Sequence, residues 1–595
     1  MTASSPDLCN GLGVRRRIPA PPCALGLTVI LILSACRKPA NDLPSAPTAA
    51  TNSLSAPAPW FEEVAAQAGL TFRHSSGHAK RFYMPEMVTG GVGLLDFDAD
   101  GLLDVFCVNG GSLDPGATNR PGHKLYRNLG HWKFEDVTER AGVGGYGEYG
   151  MGCACGDFNN DGRVDLYISH LTGGLLFRND GHARGGRIFT NVTREAGITG
   201  DSWGTSAAWF DYDRDGHLDL IVANYLRWSR ETELNCFSRG GLPDYCSPLN
   251  YKAPAMTTLY HNRGNGTFEN VTLAAGLDKA YGNGLGAACA DFNRDGLLDI
   301  FIANDGVPNQ LWINQGNGRF QDEALLRGCA VNLVGMPRAG MGVAVVDLRQ
   351  RGALDLFVTH LVGEGNGLFV NTEGYFVDAV MAKGPGAPSR PYTGFGVGFA
   401  DFNNDGELDL YIANGRVKYG VQDLDPSDPY AEPNALLRGL GNGEFEELKP
   451  LGGTQPVLLS SSRGTAFGDL DNNGAIDAVV VNRDGPAHLL RNVAPQRGHW
   501  IIFRVIDSQG RDAINASVRL ELDGRVQFRE VMPNQGYCSS NDPRIHFGLG
   551  RREKIDRLIV RWVKGDEEAF GPFEADRALE IRQGRGQKVQ GVFGY

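Results

Sequence analysis

The chain has 595 residues, a formal net charge of −12 and 42% hydrophobic residues. That length exceeds what one compact core organises, so more than one structural unit is expected. The excess acidity, with no cluster of Lys or Arg beyond Arg15–Arg17, excludes a nucleic-acid-binding surface of the usual basic kind.

Residues 15–36 read as an export signal. Arg15, Arg16 and Arg17 make a positive start, and Ala24–Leu33 is an apolar run too short to span a bilayer. The run ends in Leu33-Ser34-Ala35-Cys36, which resembles the site at which bacterial lipoproteins are cleaved and acylated. A lipid on Cys36 is therefore expected, with the membrane as a partner and the chain exported to the bacterial envelope, facing the periplasm or the cell surface. An ordinary signal peptide with an incidental cysteine is the alternative. Residues 37–59 are rich in Pro, Ala, Ser and Thr and read as a flexible linker.

From residue 60 to 494 one unit recurs. Its mark is the pattern Asp-x-Asp/Asn-x-Asp/Asn-Gly-x-x-Asp, found six times, at Asp96, Asp157, Asp211, Asp291, Asp401 and Asp469. Oxygen side chains at alternate positions of a tight turn converge on a hard cation, and the glycine permits the bend. The metal positions expected are Asp96, Asp98, Asp100, Leu102 and Asp104; Asp157, Asn159, Asp161, Arg163 and Asp165; and Asp211, Asp213, Asp215, His217 and Asp219. They continue with Asp291, Asn293, Asp295, Leu297 and Asp299; Asp401, Asn403, Asp405, Glu407 and Asp409; and Asp469, Asp471, Asn473, Ala475 and Asp477. These are not EF-hands, since position twelve of the first copy is Cys107 and strand-like runs such as LIVANY and IFIAND follow. Metal-free polar turns are the alternative. About six Ca²⁺ ions are expected, and their charge would cancel the −12 of the chain. A seventh copy at Asp347 has Arg349 and Arg351 at two ligand positions and is expected to be metal-free, with those cations standing in for the ion.

A Gly-rich segment precedes each loop, and a segment such as LYRN (Leu125) or LYHN (Leu259) follows it. Each unit thus holds about four short strands, the content of one propeller blade. The expected fold class is all-β: a seven-bladed β-propeller with calcium-binding hairpin loops, then a small β-rich C-terminal domain. The seventh unit lacks the F-x-x-V-x-x-x-A-G-L element, which occurs unpartnered at Trp60–Phe72. Pairing that element with the last blade would remove an open edge.

At this point the chain resembles a known family. The units look like integrin-type FG-GAP/VCBS repeats, and GLTFRHSSG…YMPEMVTGGVGLLDFDADGLLDVFCVNG looks like the opening of the cartilage acidic protein-like family. From Gly498 the sequence resembles an ASPIC/UnbV domain, whose core runs here from Gly536 to Gly550 with Cys538 as the one departure. The resemblance implies a propeller at 60–494 and an ASPIC/UnbV-like β domain at 498–585. It strengthens the calcium reading and says little about activity.

Eight cysteines follow Cys36. Cys236 and Cys246 flank a long insertion and are expected to form a disulfide in an oxidising compartment. Cys107, Cys153, Cys155 and Cys289 lie in apolar strands and read as buried thiols. No C-x-x-C or HExxH motif points to zinc.

If the metal hairpins occupy one face, the loops after the second strands and those entering the first strands emerge on the other. His170, Tyr225, Asp305, Arg338, His360, Arg416, Arg463 and Arg483 are the candidate ligand-binding residues there, with Tyr149, Trp203 and Tyr392 beside them. Two functions fit. One is a calcium-stabilised binding or adhesion protein whose ligand is a glycan, protein or small molecule. The other is a polysaccharide lyase or hydrolase with His170 or His360 as base and an arginine stabilising developing charge. No nucleophile motif is present, so binding is favoured.

Overall fold

The computed structural model describes residues 58–593 apart from 115, 118–119, 146, 182–187, 380–385 and 421–423. The export signal, Cys36 and residues 37–57 lie outside the described residues. The chain divides into Met1–Ala56 and Pro57–Tyr595, and all described residues fall in the second unit.

Seven four-stranded antiparallel sheets follow one another, each strand hydrogen-bonded to the next. The second sheet is typical, with strands Gly150–Gly156, Asp165–His170, Gly173–Asn179 and Phe189–Asn191. Its second strand is buried throughout, which is why Leu, Tyr and Ile fill it rather than an alternating pattern. The first strands are rich in Gly and Ala because they crowd together. A Cβ on Gly342 would lie 2.1 Å from the Phe395 carbonyl oxygen, and one on Gly286 would lie 2.3 Å from that of Met341. Each first strand touches those of the neighbouring sheets, and that of the seventh, Ser462–Gly468, touches that of the first, Val92–Leu95.

The seventh sheet takes its outer strand from the start of the chain. Phe61–Glu63 pairs antiparallel with His488–Asn492, with Phe61 opposite Asn492. Phe61 is buried edge-on against Phe402 and Tyr411, at ring distances of 5.2 and 5.9 Å.

One recurrent side chain fastens sheet to sheet. In the motif L-x-x-N, the amide of Asn179 donates to the carbonyl of Val164 in its own sheet and to that of Phe97 in the preceding loop. Asn128, Asn262, Asn314, Asn371 and Asn492 repeat the arrangement, reaching Leu470, Phe158, Tyr212, Phe292 and Phe402 respectively. The sixth unit has Gly439 there instead, and its N–H donates to Asp409.

The C-terminal region folds as a three-stranded and a five-stranded sheet around Phe503, Val518, Leu520, Phe547, Leu558 and Trp562. It rests on the loops that join first to second strands. Gln350 Oε1 accepts the Phe528 N–H at 2.5 Å, the Asn404 carbonyl accepts the Gly550 N–H at 2.8 Å, and His546 lies 3.1 Å from the Gly474 carbonyl. Between Pro533 and Asp542 the chain leaves these sheets and enters the space between the first strands. Gly536 bridges to Val343 and Ser540 to Gly93, while the Cys538 N–H donates to Ser206 Oγ at 2.9 Å. Tyr537 reaches furthest: its hydroxyl donates to the Val88 carbonyl at 2.7 Å and its ring packs on Phe395.

Candidate functional site

The two faces of the seven-sheet body carry different chemistry. On the loop face, the first Asp of each intact hairpin accepts the N–H of the glycine five residues on, as Asp157 does from Gly162 at 2.7 Å. The ninth-position Asp is buried deeper: Asp165 accepts the N–H groups of Asn179 and Phe158 at 2.7 and 3.1 Å. Three of the hairpins bring carboxylate oxygens of at least three residues within 4.8 Å of one another: Asp96, Asp98 and Asp104; Asp211, Asp213 and Asp215; Asp469, Asp471 and Asp477. Asn159, Asn293 and Asn403 each donate to the Asp two residues on, at 3.1, 2.8 and 2.9 Å.

These residues fit a divalent cation. Burial pushes the Asp104 carboxyl up to about 8, those of Asp219 and Asp401 to about 7 and those of Asp211, Asp291 and Asp469 to about 6. A cation beside them would reverse that and keep them ionised. The Oδ1 atoms of Asp211 and Asp471 are buried with no hydrogen-bond donor, which also suits a metal partner.

The C-terminal domain adds cations of its own to this face. Arg561 stands 3.7 Å from Asp291, and Arg544 donates to the Asp469 carbonyl at 2.7 Å. The charges of Arg504, Arg511 and Arg529 bear on Asp96, on Asp157 and Asp211, and on Asp347 and Asp401. In the degenerate hairpin, Arg349 pairs with Asp355 at 3.0 Å and also donates to the Asn371 carbonyl. Its partner is thus the ninth-position Asp rather than Asp347, which accepts backbone N–H groups from Arg349 and Gly352.

The opposite face is closed rather than open. His170 and His360 are each 1% exposed. His170 Nε2 lies 3.3 Å from Nε2 of His123, whose Nδ1 accepts the Asn109 N–H, and burial lowers His123 to about 4. Arg338 is spent on Asp378 at 2.8 Å and Arg416 on Glu432 at 3.2 Å. The Tyr225 hydroxyl donates to Asp305 at 2.7 Å. Arg463 is fully buried on the carbonyls of Met87, Ser462, Gly415 and Arg416, and burial lowers it to about 9. Tyr149 and Trp203 are buried as well. The expected ring of ligand groups therefore forms an internal polar layer. Arg483 touches the covering segments through its guanidinium, 4.4 Å from the Tyr430 ring and 5.6 Å from that of Tyr245.

Two segments make the cover: the one entering the first sheet, near residues 76–88, and the insertion after Asn224. Cys236 and Cys246 are disulfide-bonded within the insertion, with Cα atoms 5.2 Å apart. Tyr245 then lies over the layer, its hydroxyl 3.0 Å from Glu86 and 3.2 Å from His78 Nδ1, while His78 and Glu86 approach to 2.7 Å. Burial pushes the Glu86 carboxyl up, against the pull of His78.

Outside the cover runs a groove of about 440 Å³ lined by Lys80, Arg81, Phe82, Tyr83, Arg230, Glu233, Phe237 and Asp244, among others. Its carboxylates are already engaged by neutral donors. Glu233 accepts from the Met84 N–H, Trp228 Nε1 and the Tyr251 hydroxyl, and Asp244 from the Tyr430 hydroxyl and Tyr419 N–H. Its cations lack close carboxylates: among the described residues neither Lys80 nor Arg230 has a carboxylate partner, Arg230 donates to the Leu113 carbonyl at 3.4 Å, and Arg81 donates to the Tyr83 hydroxyl at 3.1 Å and is 3.8 Å from Asp114. Phe237, 64% exposed, adds an aromatic face on the first strand of the disulfide loop, opposite Pro243. Sequence reading missed His78, Glu86, Tyr245 and the groove, because the insertion repeats nothing and its packing is not local. The signal present was the disulfide pair itself, which marks a loop held in one shape.

Comparison with known proteins agrees with the repeats and the C-terminal sheets. An FG-GAP-like repeat profile matches residues 96–168, 241–302 and 291–358, and an ASPIC and UnbV profile matches 507–588. The chain combines FG-GAP repeats with an ASPIC and UnbV domain. It is similar to cartilage acidic protein 1: 28% identical to that of Xenopus tropicalis over 80% of this chain, and 27% identical to the Homo sapiens protein over the same share. It spans about 60% of the length of these relatives, 61% and 60% respectively. A solved Agrocybe aegerita lectin, described as recognising non-reducing terminal N-acetylglucosamine, aligns with 67% of this chain and 86% of its own, at 17% identity and a TM-score of 0.37. That superposition is loose. No helix among the described residues is long and apolar enough to cross a membrane.

Proposed function

We propose that this chain is an exported, calcium-stabilised binding protein, lipid-anchored through Cys36, whose seven sheets are the blades of a propeller. Calcium in six hairpins stiffens the loop face, on which the 498–585 domain docks, and the ligand sits on the opposite face. The observation that carries the ligand reading is the groove, where Lys80 and Arg230, without a carboxylate partner among the described residues, and loosely held Arg81 lie beside Phe82, Tyr83 and Phe237 while both carboxylates are internally satisfied. Cations without close carboxylates and the exposed Phe237 ring suit an acidic glycan. His78 supports a second reading. It is 29% exposed at its side chain, packs 5.0 Å from Phe82 and is oriented by Glu86, so it could act as the base of a polysaccharide lyase. The fully buried His170 and His360 cannot take that role.

Titration of the full chain with a soluble uronate polysaccharide tests this. Lys80→Glu with Arg230→Glu should weaken binding by roughly tenfold or more and reduce its salt dependence, while leaving calcium content unchanged. Equal binding by wild type and variant would remove the ligand from this groove. Formation of unsaturated product that disappears in His78→Ala would establish the enzyme instead.

A further inference from the structure

The third hairpin differs from the others in its donor atoms. Strand Thr258–Asn262 places His261 Nδ1 3.2 Å from Asp219 Oδ1 and 3.5 Å from Asp213 Oδ2. The corresponding residue of the other units is Arg127, Arg178, Ile313, Val370, Arg438 or Arg491, none of which has a lone pair for a metal. Arg127 and Arg438 reach the same region as charge partners, to Asp100 at 3.0 Å and to Asp405 at 3.1 Å. Imidazole reaches it too, as a hydrogen-bond partner of Asp219, and offers a nitrogen that can also ligate: the ligand atoms of Asp213, Asp219 and His261 lie within 4.8 Å of one another, and Asp213 also belongs to the group of Asp211 and Asp215.

A second observation comes from Asp211. In the first, second, fourth, sixth and seventh hairpins, Oδ1 of the first Asp accepts the N–H of the fifth residue: Asp100, Asp161, Asp295, Asp405 and Asn473. In the third, the Asp215 N–H donates to Asp213 Oδ1 at 3.2 Å, a bond that Asp161, Asp295 and Asp405 also make to their third residues, but it makes none to Asp211. Asp211, 3% exposed, keeps one bond, from Gly216, and its Oδ1 is buried without a donor. An anionic oxygen so enclosed needs a cation.

We propose that the third hairpin holds a borderline transition ion of the zinc class, with His261 Nδ1 as nitrogen ligand, while the other intact hairpins hold calcium. This rests on the metal reading above and goes beyond it in naming a different ion. Calcium prefers all-oxygen cages, whereas imidazole with carboxylates suits zinc, and zinc stands above manganese and iron in the general affinity order. No sequence motif announces the site, because His261 lies 42 residues from Asp219.

The test is metal analysis of the purified full chain after dialysis against millimolar calcium with a small excess of zinc. About one zinc per chain should remain beside several calcium ions, and X-ray absorption at the zinc edge should show imidazole scattering. His261→Val, the side chain of the fifth unit, should lower zinc affinity about 100-fold and leave calcium content and melting in place. His261→Arg, the side chain of the first unit, should behave likewise. Calcium bound without zinc, or zinc held equally by wild type and both variants, would overturn this proposal and leave the calcium reading standing. Neither metal binding would overturn both.

Discussion

The loop face and the face opposite it are built from the same seven repeats, yet they use charge in opposite ways. On the loop face carboxylates converge without enough donors and so suit cations: the metal ions proposed above, beside the arginines that the C-terminal domain brings to Asp291, Asp401 and Asp469. On the opposite face the buried charges are largely engaged within the protein, as Arg338 is by Asp378 and Arg463 by four backbone carbonyls. A repeated motif thus makes one face a set of equivalent sites. On the other face the proposed ligand groove belongs to a segment that does not repeat, the disulfide-closed insertion.

The largest effect that sharpens this contrast concerns what the two faces share, the sheets between them. Deleting Trp60–Phe72 strips the outer strand from the seventh sheet and removes buried Phe61, a tie between sequence-distant ends. Loss of cooperative melting, or aggregation, is expected on heating. A melting curve like that of the intact chain would show that the seventh sheet stands without its borrowed strand.

Next in size is the segment that runs between the faces. Tyr537→Ala removes a fully buried ring and the bond to Val88, at a cost of about 3–5 kcal/mol by chemical denaturation. A cost under about 1 kcal/mol would mean that the Pro533–Asp542 segment fills space without fastening the sheets.

The smallest is a pH effect confined to the closed face. Burial holds His123 neutral, with a value of about 4 in the folded protein against about 6.5 unfolded. Below the unfolded value only the unfolded chain takes up the proton, so stability falls as pH drops from about 6.5 towards 4, by about 1 kcal/mol per pH unit. His123→Gln should therefore lose less stability than wild type between pH 7 and 5. Equal losses would place the acid sensitivity elsewhere.

The contrast also governs what the sequence disclosed. The hairpins at Asp96 through Asp469, the strand-poor seventh unit and the pair Cys236–Cys246 were legible because each is a local pattern, repeated or closely spaced. The inter-sheet role of Asn179 and its equivalents was legible in principle, since the asparagine recurs in L-x-x-N, but its second acceptor lies one unit upstream. Tyr537 in the space between the first strands, His123 beside His170 and the Lys80–Arg230 groove were not legible, because each joins residues that only the fold brings together. His170, His360 and Arg338 looked like ligand groups for the same reason: their internal partners are invisible in a linear reading.

The central claim is that divalent cations hold the loop face. With ~2 mM calcium and an affinity of ~0.1 mM, each occupied hairpin would add about 1.8 kcal/mol of stability. The measurement that tests it most directly is thermal melting of the full chain before and after chelation, with metal content determined on the same samples. About six divalent ions per chain and a marked fall in melting temperature on chelation, restored by calcium, are the predicted result. Unchanged melting with no bound metal would contradict it.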